Sequence, residues 1–151
     1  MIYALKVAFV ATLITITIFD IKKRVIPNSL VLIVGILAVM ATVFQRDTTL
    51  LDRFIGMLCV SLPLLIISLI ISNAFGGGDI KLMAAAGFYL GYQLTLLSFI
   101  IALYSAGAYG VWLLIAKKKG KRENFAFGPF LCGGMIVGVL LGEEILKWYA
   151  G

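Results

Sequence analysis

Five long apolar runs separated by short polar segments dominate the pattern of the chain. They cover residues 2–19, 30–44, 54–71, 82–116 and 125–146. A transmembrane α-helix needs about 20 predominantly apolar residues, or fewer where it is packed against protein. Each run is therefore a candidate span, and the pattern predicts an all-α, polytopic membrane protein.

The run over residues 82–116 decides how many helices there are. It holds 35 residues without a charge. One helix of that length would measure ~52 Å, against a hydrocarbon core of ~30 Å. Two helices with a break around Gly91-Tyr92-Gln93 fit better and bring the total to six transmembrane helices. The first of the two, over residues 79–90, is ~18 Å long. We expect it to begin in a cavity shielded by the other helices.

The basic residues predict the orientation. With six spans, nine of the 13 Lys and Arg residues fall on one side, which the positive-inside rule makes cytoplasmic, with both termini outside. Five spans would split them eight against five. The nine are Lys22, Lys23, Arg24, Lys81, Lys117, Lys118, Lys119, Lys121 and Arg122. We expect residues 117–122 to form a solvated loop near anionic lipid.

Composition agrees with a bilayer environment. The chain has 151 residues, of which 62% are hydrophobic, and its mean hydropathy is +1.10. By length it is one domain, over residues 1–151. The net charge of +6 is clustered between apolar runs, which favours contact with lipid and predicts no nucleic-acid partner. The first run lacks a cleavage site and is expected to be a retained span in the cell membrane.

The residue types that are absent exclude several chemistries. There is no histidine, which excludes Ser-His-Asp and Cys-His catalysis and removes the commonest zinc ligand. Cys59 and Cys132 lie inside apolar runs, where we expect small buried hydrophobic residues. No metal and no cofactor is predicted.

Asp20 and Asp79 are the candidate catalytic residues. One follows the first apolar run and the other precedes the run at 82–116. An acid at a membrane edge is costly unless it has a function. Two spans separate them, so both lie on the same side, which is cytoplasmic in the six-span topology. Two adjacent carboxyls cannot both ionise; one can activate water while the other donates a proton. The pair is a candidate aspartyl protease dyad.

The triple glycine before Asp79 is expected to shape the site. Gly76, Gly77 and Gly78 allow backbone conformations closed to other residues and close approach of a substrate strand. Asp79 would then open a helix, where an acid is favoured by free N–H groups and the helix dipole. Residues 71–78 are glycine-rich enough to move, so the two carboxyls could stay apart until substrate binds.

Three further residues are expected near the site. Pro27 and Asn28 form a turn into the second span, with Asn28 as its N-cap. Lys81 lies on a different helical face from Asp79, at the level of the lipid headgroups, and a role in the site is left open.

Each acid also has a simpler interpretation. Asp79 alone could be a helix N-cap. Asp20 alone could be a loop acid paired with the basic residues that follow it. Their conjunction on one side at two membrane edges favours the catalytic hypothesis. Four other charged residues are expected at the surface of the opposite loop. These are Arg46, Asp47, Asp52 and Arg53.

Three motifs in this order resemble the type IV prepilin peptidases, which are membrane aspartyl proteases of the Gly-x-Gly-Asp class. The motifs are Asp20 followed by Ile26-Pro27-Asn28, then Gly76-Gly77-Gly78-Asp79, then Phe125-Ala126-Phe127-Gly128-Pro129-Phe130-Leu131. The resemblance covers nearly the whole chain. It implies that Asp20 and Asp79 are the catalytic pair. It also implies cleavage of a prepilin or pilin-like precursor between its basic leader and its apolar helix, at the cytoplasmic face.

The chain departs from the larger bifunctional members of that family. It has no Cys-x-x-Cys motif and Met1 begins almost at the first span, so we expect no N-methyltransferase activity. Two alternatives are kept. One is a small transporter or proton-relay protein that uses the same acids, although no acid lies in the middle of a span. The other is a catalytically inactive assembly factor. A homo-oligomer is left open.

Overall fold

The computed structural model describes residues 2–45, 48–71, 75–116 and 126–151. Six α-helices account for most of this described part. The helices are α1 (Ile2–Lys23), α2 (Asn28–Phe44), α3 (Leu50–Ile70), α4 (Gly77–Leu90), α5 (Tyr92–Ile115) and α6 (Gly128–Ala150). The basic run at 117–122, the residues at 46–47 and those at 72–74 lie outside the described ranges, as does Phe125.

The helical prediction is confirmed, and the break in the long apolar run is at Gly91. This glycine separates α4 from α5 with φ of +78°, a conformation that residues with a side chain rarely adopt. Four helices, α1, α3, α5 and α6, are long and apolar enough to cross a membrane. The other two are shorter, with 17 residues in α2 and 14 in α4.

Helix α4 occupies the centre of the bundle. It packs most extensively against α3 and α2 and touches α5 and α6 as well. Its Tyr89 ring stacks on Phe9 of α1, with 4.0 Å between ring centroids. Leu82, Met83 and Ala86 of α4 are almost fully buried. A helix of 14 residues is thus shielded by its neighbours, as expected for one too short to face lipid across a whole bilayer.

Two close helix crossings are made by glycines. A Cβ at Gly56 of α3 would lie 2.6 Å from the Gly91 carbonyl carbon, and a Cβ at Gly87 of α4 would lie 2.7 Å from the Gly56 carbonyl carbon. On α6, a Cβ at Gly134 would lie 3.2 Å from the backbone nitrogen of Ala102 on α5. Small residues allow helices in membranes to approach closely and to gain van der Waals contact.

The crossing of α3 and α4 predicts a large effect from one methyl group. We expect Gly87→Ala to destabilise the fold by about 1–3 kcal/mol, because the added Cβ meets backbone atoms that cannot rotate away. Thermal unfolding in detergent measures the loss. Gly107→Ala on α5 is the control, since a Cβ there meets nothing within 4 Å. Equal unfolding temperatures for the two variants would contradict this account of the crossing.

Arg53 overturns one expectation from the sequence. It was predicted at the surface of the loop between α2 and α3, but its side chain is completely buried at the start of α3. Its guanidinium donates to the carbonyl oxygens of Phe88 and Tyr89 at 3.1 Å, in the last turn of α4. It also reaches the carbonyl oxygens of Ala41 and Gln45 at the end of α2. Buried carbonyls at two helix ends need donors, and Arg53 supplies them.

The polar contacts sort into two ends of the bundle. Arg53 lies at the end where α2 and α4 finish, and Lys6 of α1 forms an ion pair with Glu143 of α6 at 3.8 Å on the same end. Asp20, at the finish of α1, and Asp79, at the start of α4, lie at the opposite end. The expectation that the two acids share one end is therefore confirmed.

Candidate active site

Asp20 lies inside helix α1 and not in a loop. The helix continues to Lys23, and the side chain of Asp20 is 6% exposed. The chain leaves the helix at Arg24, whose amide donates to the Asp20 carbonyl oxygen at 2.8 Å. The simpler interpretation of Asp20 as a loop acid paired with the neighbouring basic residues is therefore wrong. An acid buried in a helix of this hydropathy points into the bundle.

Asp79 lies in the first turn of α4 and is 8% exposed. It is the third helical residue, and the N-cap is Gly76, whose carbonyl oxygen accepts from the Asp79 amide at 3.0 Å. The backbone amide of Gly76 in turn faces the Asp79 carboxylate. An acid that reaches back to the N-cap amide in this way stabilises a helix start. Asp79 thus takes part in capping, although it is not itself the N-cap.

The two carboxyl groups meet beside Gly128, the first residue of α6. A Cβ built on Gly128 would overlap Asp20 Oδ2 and would lie 3.4 Å from Asp79 Oδ1. Both oxygens are therefore within 3.4 Å of a single point, and the carboxyls are neighbours. The mobility expected for residues 71–78 includes residues outside the described ranges. In the structure the two carboxyls lie side by side.

The electrostatic setting of the pair is made by two helix N-termini. The backbone amide of Gly128 faces the Asp20 carboxylate, just as that of Gly76 faces Asp79. The first amides of a helix have no partner within it and carry partial positive charge. The starts of α4 and α6 therefore favour a negative charge between them. Two carboxyls in close contact hold one such charge most readily by sharing a proton.

The triple glycine acts through packing at one position. A Cβ at Gly78 would lie 2.9 Å from the Cβ of Ile26, so this glycine lets the two motifs touch. Gly76 has an ordinary φ of −67°, and none of the three glycines has a positive φ. The prediction that they adopt conformations closed to other residues is therefore wrong. A Cβ at Gly77 would meet nothing within 4 Å, which leaves space at this edge of the site.

Pro27 and Asn28 lie at the start of α2, and Lys81 lies two residues after Asp79 in α4. The N-cap of α2 is Pro27 and not Asn28, because the helix begins one residue earlier than expected. The Asn28 side chain is free to accept from Lys81 Nζ at 3.4 Å. This contact joins the two motifs on the surface, while the contact of Gly78 with Ile26 joins them underneath.

An aromatic pair connects the segments that lead into α4 and α6. The rings of Phe75 and Phe127 are 5.6 Å apart between centroids. Phe75 precedes Gly76, the N-cap of α4, and Phe127 precedes Gly128, the first residue of α6. The carbonyl oxygen of Phe75 accepts from Ser68 Oγ of α3 at 3.3 Å. These contacts fix the approach of both helix starts to the carboxyl pair.

The cysteines are free, as predicted, and one of them lies near the pair. Cys132 is fully buried one turn after Gly128, with its thiol against Thr17 of α1. Cys59 is half-buried in α3. Within the described ranges, no three His, Cys, Asp or Glu side chains are grouped as metal ligands would be.

Gly128 is the site residue that sequence reasoning missed. The motif over residues 125–131 was assigned to the start of the last span, but no residue of it was placed at the acids. A glycine before a proline at a helix start was the available signal, because Pro129 occupies the helix position that needs no N–H. Nothing in the sequence alone shows that this helix start lies beside Asp20 and Asp79.

Comparison with known proteins finds similarity to leader peptidases. Residues 7–111 match the Type IV leader peptidase family. A protein of Bacillus subtilis (strain 168) described as "Prepilin leader peptidase/N-methyltransferase" is 30% identical over 144 residues, which is 95% of this chain and 58% of the relative. A protein of Legionella pneumophila with the same description is 28% identical over 92% of this chain and 50% of the relative. The chain thus spans little more than half the length of these relatives. No solved structure matches it.

Proposed function

Because the chain belongs to the type IV leader peptidase family, we propose that it is an aspartic endopeptidase of prepilin or pilin-like precursors. It removes the short basic leader and leaves the apolar helix that follows. The descriptions of the Bacillus and Legionella relatives support this substrate class. For these 151 residues we propose no N-methyltransferase activity; the sequence has no Cys-x-x-Cys motif.

The observation that carries the proposal is the meeting of two buried carboxyls at one point. Asp20 of α1 and Asp79 of α4 are 59 positions apart in sequence and converge at the start of α6. Placing two acids together in an apolar bundle costs stability, because their charges repel and their burial is unfavourable. Arrangements of this kind concentrate at catalytic sites. We assign both residues as catalytic.

The chemistry follows from a shared proton. The ionised carboxyl takes a proton from a water molecule, and the resulting hydroxide attacks the carbonyl carbon of the scissile bond. The protonated carboxyl donates its proton to the carbonyl oxygen, which gives a neutral tetrahedral intermediate. The first carboxyl then passes its proton to the amide nitrogen as the C–N bond breaks, and the second recovers its proton from the collapsing hydroxyl.

The surroundings of the pair give a substrate strand its path. Gly76 and Gly77 are exposed beside Asp79, and the space at Gly77 admits an extended backbone. Lys81, Asn28 and Pro27 shape the adjacent rim. The apolar part of the substrate lies against the helices within the bilayer, while its leader remains in water.

We also propose the setting of the enzyme. All six helices cross the cell membrane, with α4 shielded by its neighbours and α2 exposing apolar side chains to lipid, and the carboxyl pair faces the cytoplasm. The basic residues Lys22, Lys23, Arg24 and Lys81 at that end of the bundle support this orientation. Partners are the precursor and the lipid bilayer; a homo-oligomer is compatible with the exposed apolar surface.

A reconstituted cleavage assay tests the function. The protein in liposomes is mixed with a pilin precursor encoded in the same genome, with a methyl donor supplied, and the new N-terminus is read by mass spectrometry. We expect one cut that separates the leader from the apolar segment, with no added methyl mass. A proton-sensitive dye inside the liposomes follows ion flux in parallel. Intact precursors together with potential-dependent flux would favour the proton relay instead.

A further inference from the structure

We propose that Gly128 is a positioning residue of the carboxyl pair, in two ways. Its lack of a side chain makes the space that the Asp20 carboxyl occupies, and its backbone amide holds that carboxyl in place. The inference rests on the proposed peptidase function for its kinetic consequence. Its geometric consequence does not depend on that function.

A side chain at position 128 has no room beside the Asp20 carboxyl. A Cβ at position 128 would overlap Asp20 Oδ2 and would lie 2.9 Å from Asp20 Cγ. The same Cβ would lie 3.4 Å from Asp79 Oδ1, an ordinary van der Waals distance, so the clash falls on Asp20 and not on Asp79. Any residue other than glycine therefore pushes the Asp20 carboxyl out of its position relative to Asp79.

The electrostatic role of Gly128 depends on which amides at the start of α6 remain available to Asp20. Phe130 and Leu131 donate to the carbonyl oxygen of Phe127 at 3.1 and 3.2 Å. Pro129 has no N–H. Gly128 is therefore the residue of this first turn that offers an amide toward Asp20. The partial positive charge of a helix-start amide attracts an ionised carboxylate.

The start of α6 cannot retreat to accommodate a side chain. Leu131 and Cys132, at the end of its first turn and the start of its second, are 1% and 0% exposed and pack in the core. Further along, Gly134 is in backbone contact with α5, where a Cβ would lie 3.2 Å from the Ala102 nitrogen. Because the helix is held on two sides, the strain of an added Cβ falls on the carboxyl.

The kinetic test compares two alanine variants of the same helix. We expect Gly128→Ala to lower kcat for precursor cleavage by about 100-fold, since a misplacement of ~1 Å is enough for such a loss. The KM should stay within about threefold, because substrate binding along the helices is untouched. Gly133→Ala is the control: it is exposed on α6, and a Cβ there meets nothing within 4 Å. A Gly128→Ala enzyme with kcat near that of wild type would overturn the proposal.

A second test needs no activity at all. Gly128→Ala should lower the unfolding temperature in detergent by roughly 2–4 °C in the wild-type background. In an Asp20→Ala background the new methyl group enters the vacated space, so the same change should cause no loss. A difference between the backgrounds measures the contact between the two positions. Equal losses in both backgrounds would refute the contact.

The kinetic test and the unfolding test distinguish failure of the positioning role from failure of the proposed peptidase function. If wild type cleaves precursors and Gly128→Ala does so equally well, the positioning role is wrong and the peptidase function stands. If wild type cleaves no precursor but the unfolding temperatures depend on the background, the geometry stands and the proposed function is wrong.

Discussion

Replacing Asp79 with asparagine is expected to lower precursor cleavage by about 10⁴-fold, the upper range for loss of a positioned general acid or base. Asparagine has the same shape and keeps one acceptor oxygen, but it cannot share or transfer a proton. The pair would then be unable to activate water and protonate the carbonyl in one step. Asp20→Asn should cause a loss of the same order, because the two carboxyls act as a unit. Initial rates of leader release in liposomes measure both.

The same variants should fold at least as well as wild type. Removing one acid relieves the repulsion at the meeting point beside Gly128, and residues at functional sites commonly reduce stability. In Asp79→Asn, the amide oxygen of the introduced asparagine can still accept from Gly76, so the helix start is preserved. We therefore expect unfolding temperatures equal to or above that of wild type. Glu144→Gln, an exposed change near the end of α6, is the matched control and should leave both rate and stability unaltered.

This combination distinguishes catalysis from capping. If Asp79 served only to cap α4, asparagine would cost little activity, and any loss would follow a lower unfolding temperature. A variant that is fully folded and yet inactive is not expected from the loss of a cap alone. Full cleavage by Asp79→Asn would mean that groups other than this carboxyl pair carry out the reaction.

The parts of the fold that the sequence predicts are those governed by local physics. Apolar runs of membrane length must form helices because the bilayer offers no partner for backbone groups. The break at Gly91 was predictable because 35 uncharged residues exceed one span, and glycine supplies the positive φ that the turn requires. The same reasoning placed Asp20 and Asp79 at one end of the bundle, since counting spans fixes which end each residue reaches.

The parts that were missed or wrong depend on packing between distant segments. Gly128 becomes a site residue only because α6 begins where α1 ends and α4 starts. Arg53 was assigned to the surface because it follows a polar loop, and local hydropathy cannot show that two helices end around it. The Asn28 cap was wrong by one residue, which is the usual uncertainty at a helix boundary.

Arg53→Met is expected to destabilise the protein by about 2–6 kcal/mol, because two buried carbonyl oxygens lose their charged donor at a cost of about 1–3 kcal/mol each. Methionine fills a similar volume but donates nothing. The carbonyl oxygens of Phe88 and Tyr89 would then be left without the guanidinium in a buried environment, and each unsatisfied group is costly there. The Ala41 carbonyl oxygen would keep the backbone amide of Gln45 as its donor. The guanidinium also lies at the negative ends of two helix dipoles, which it stabilises. Thermal and chemical unfolding in detergent measure the loss.

Arg53→Lys should recover only part of that stability. A lysine ammonium carries the charge but cannot spread its donors over the ends of α2 and α4 at once, as the planar guanidinium does. Lys147→Met, at an exposed position in the last turn of α6, is the control for losing a cation at a helix end and should change stability by less than about 1 kcal/mol. If Arg53→Met were as stable as this control, the carbonyls would have other donors.

Because α4 carries Asp79 at its other end, we expect Arg53→Met to reduce cleavage only in proportion to the fraction unfolded. Its kcat per folded molecule should stay near that of wild type, which separates support of the helix from action at the carboxyl pair.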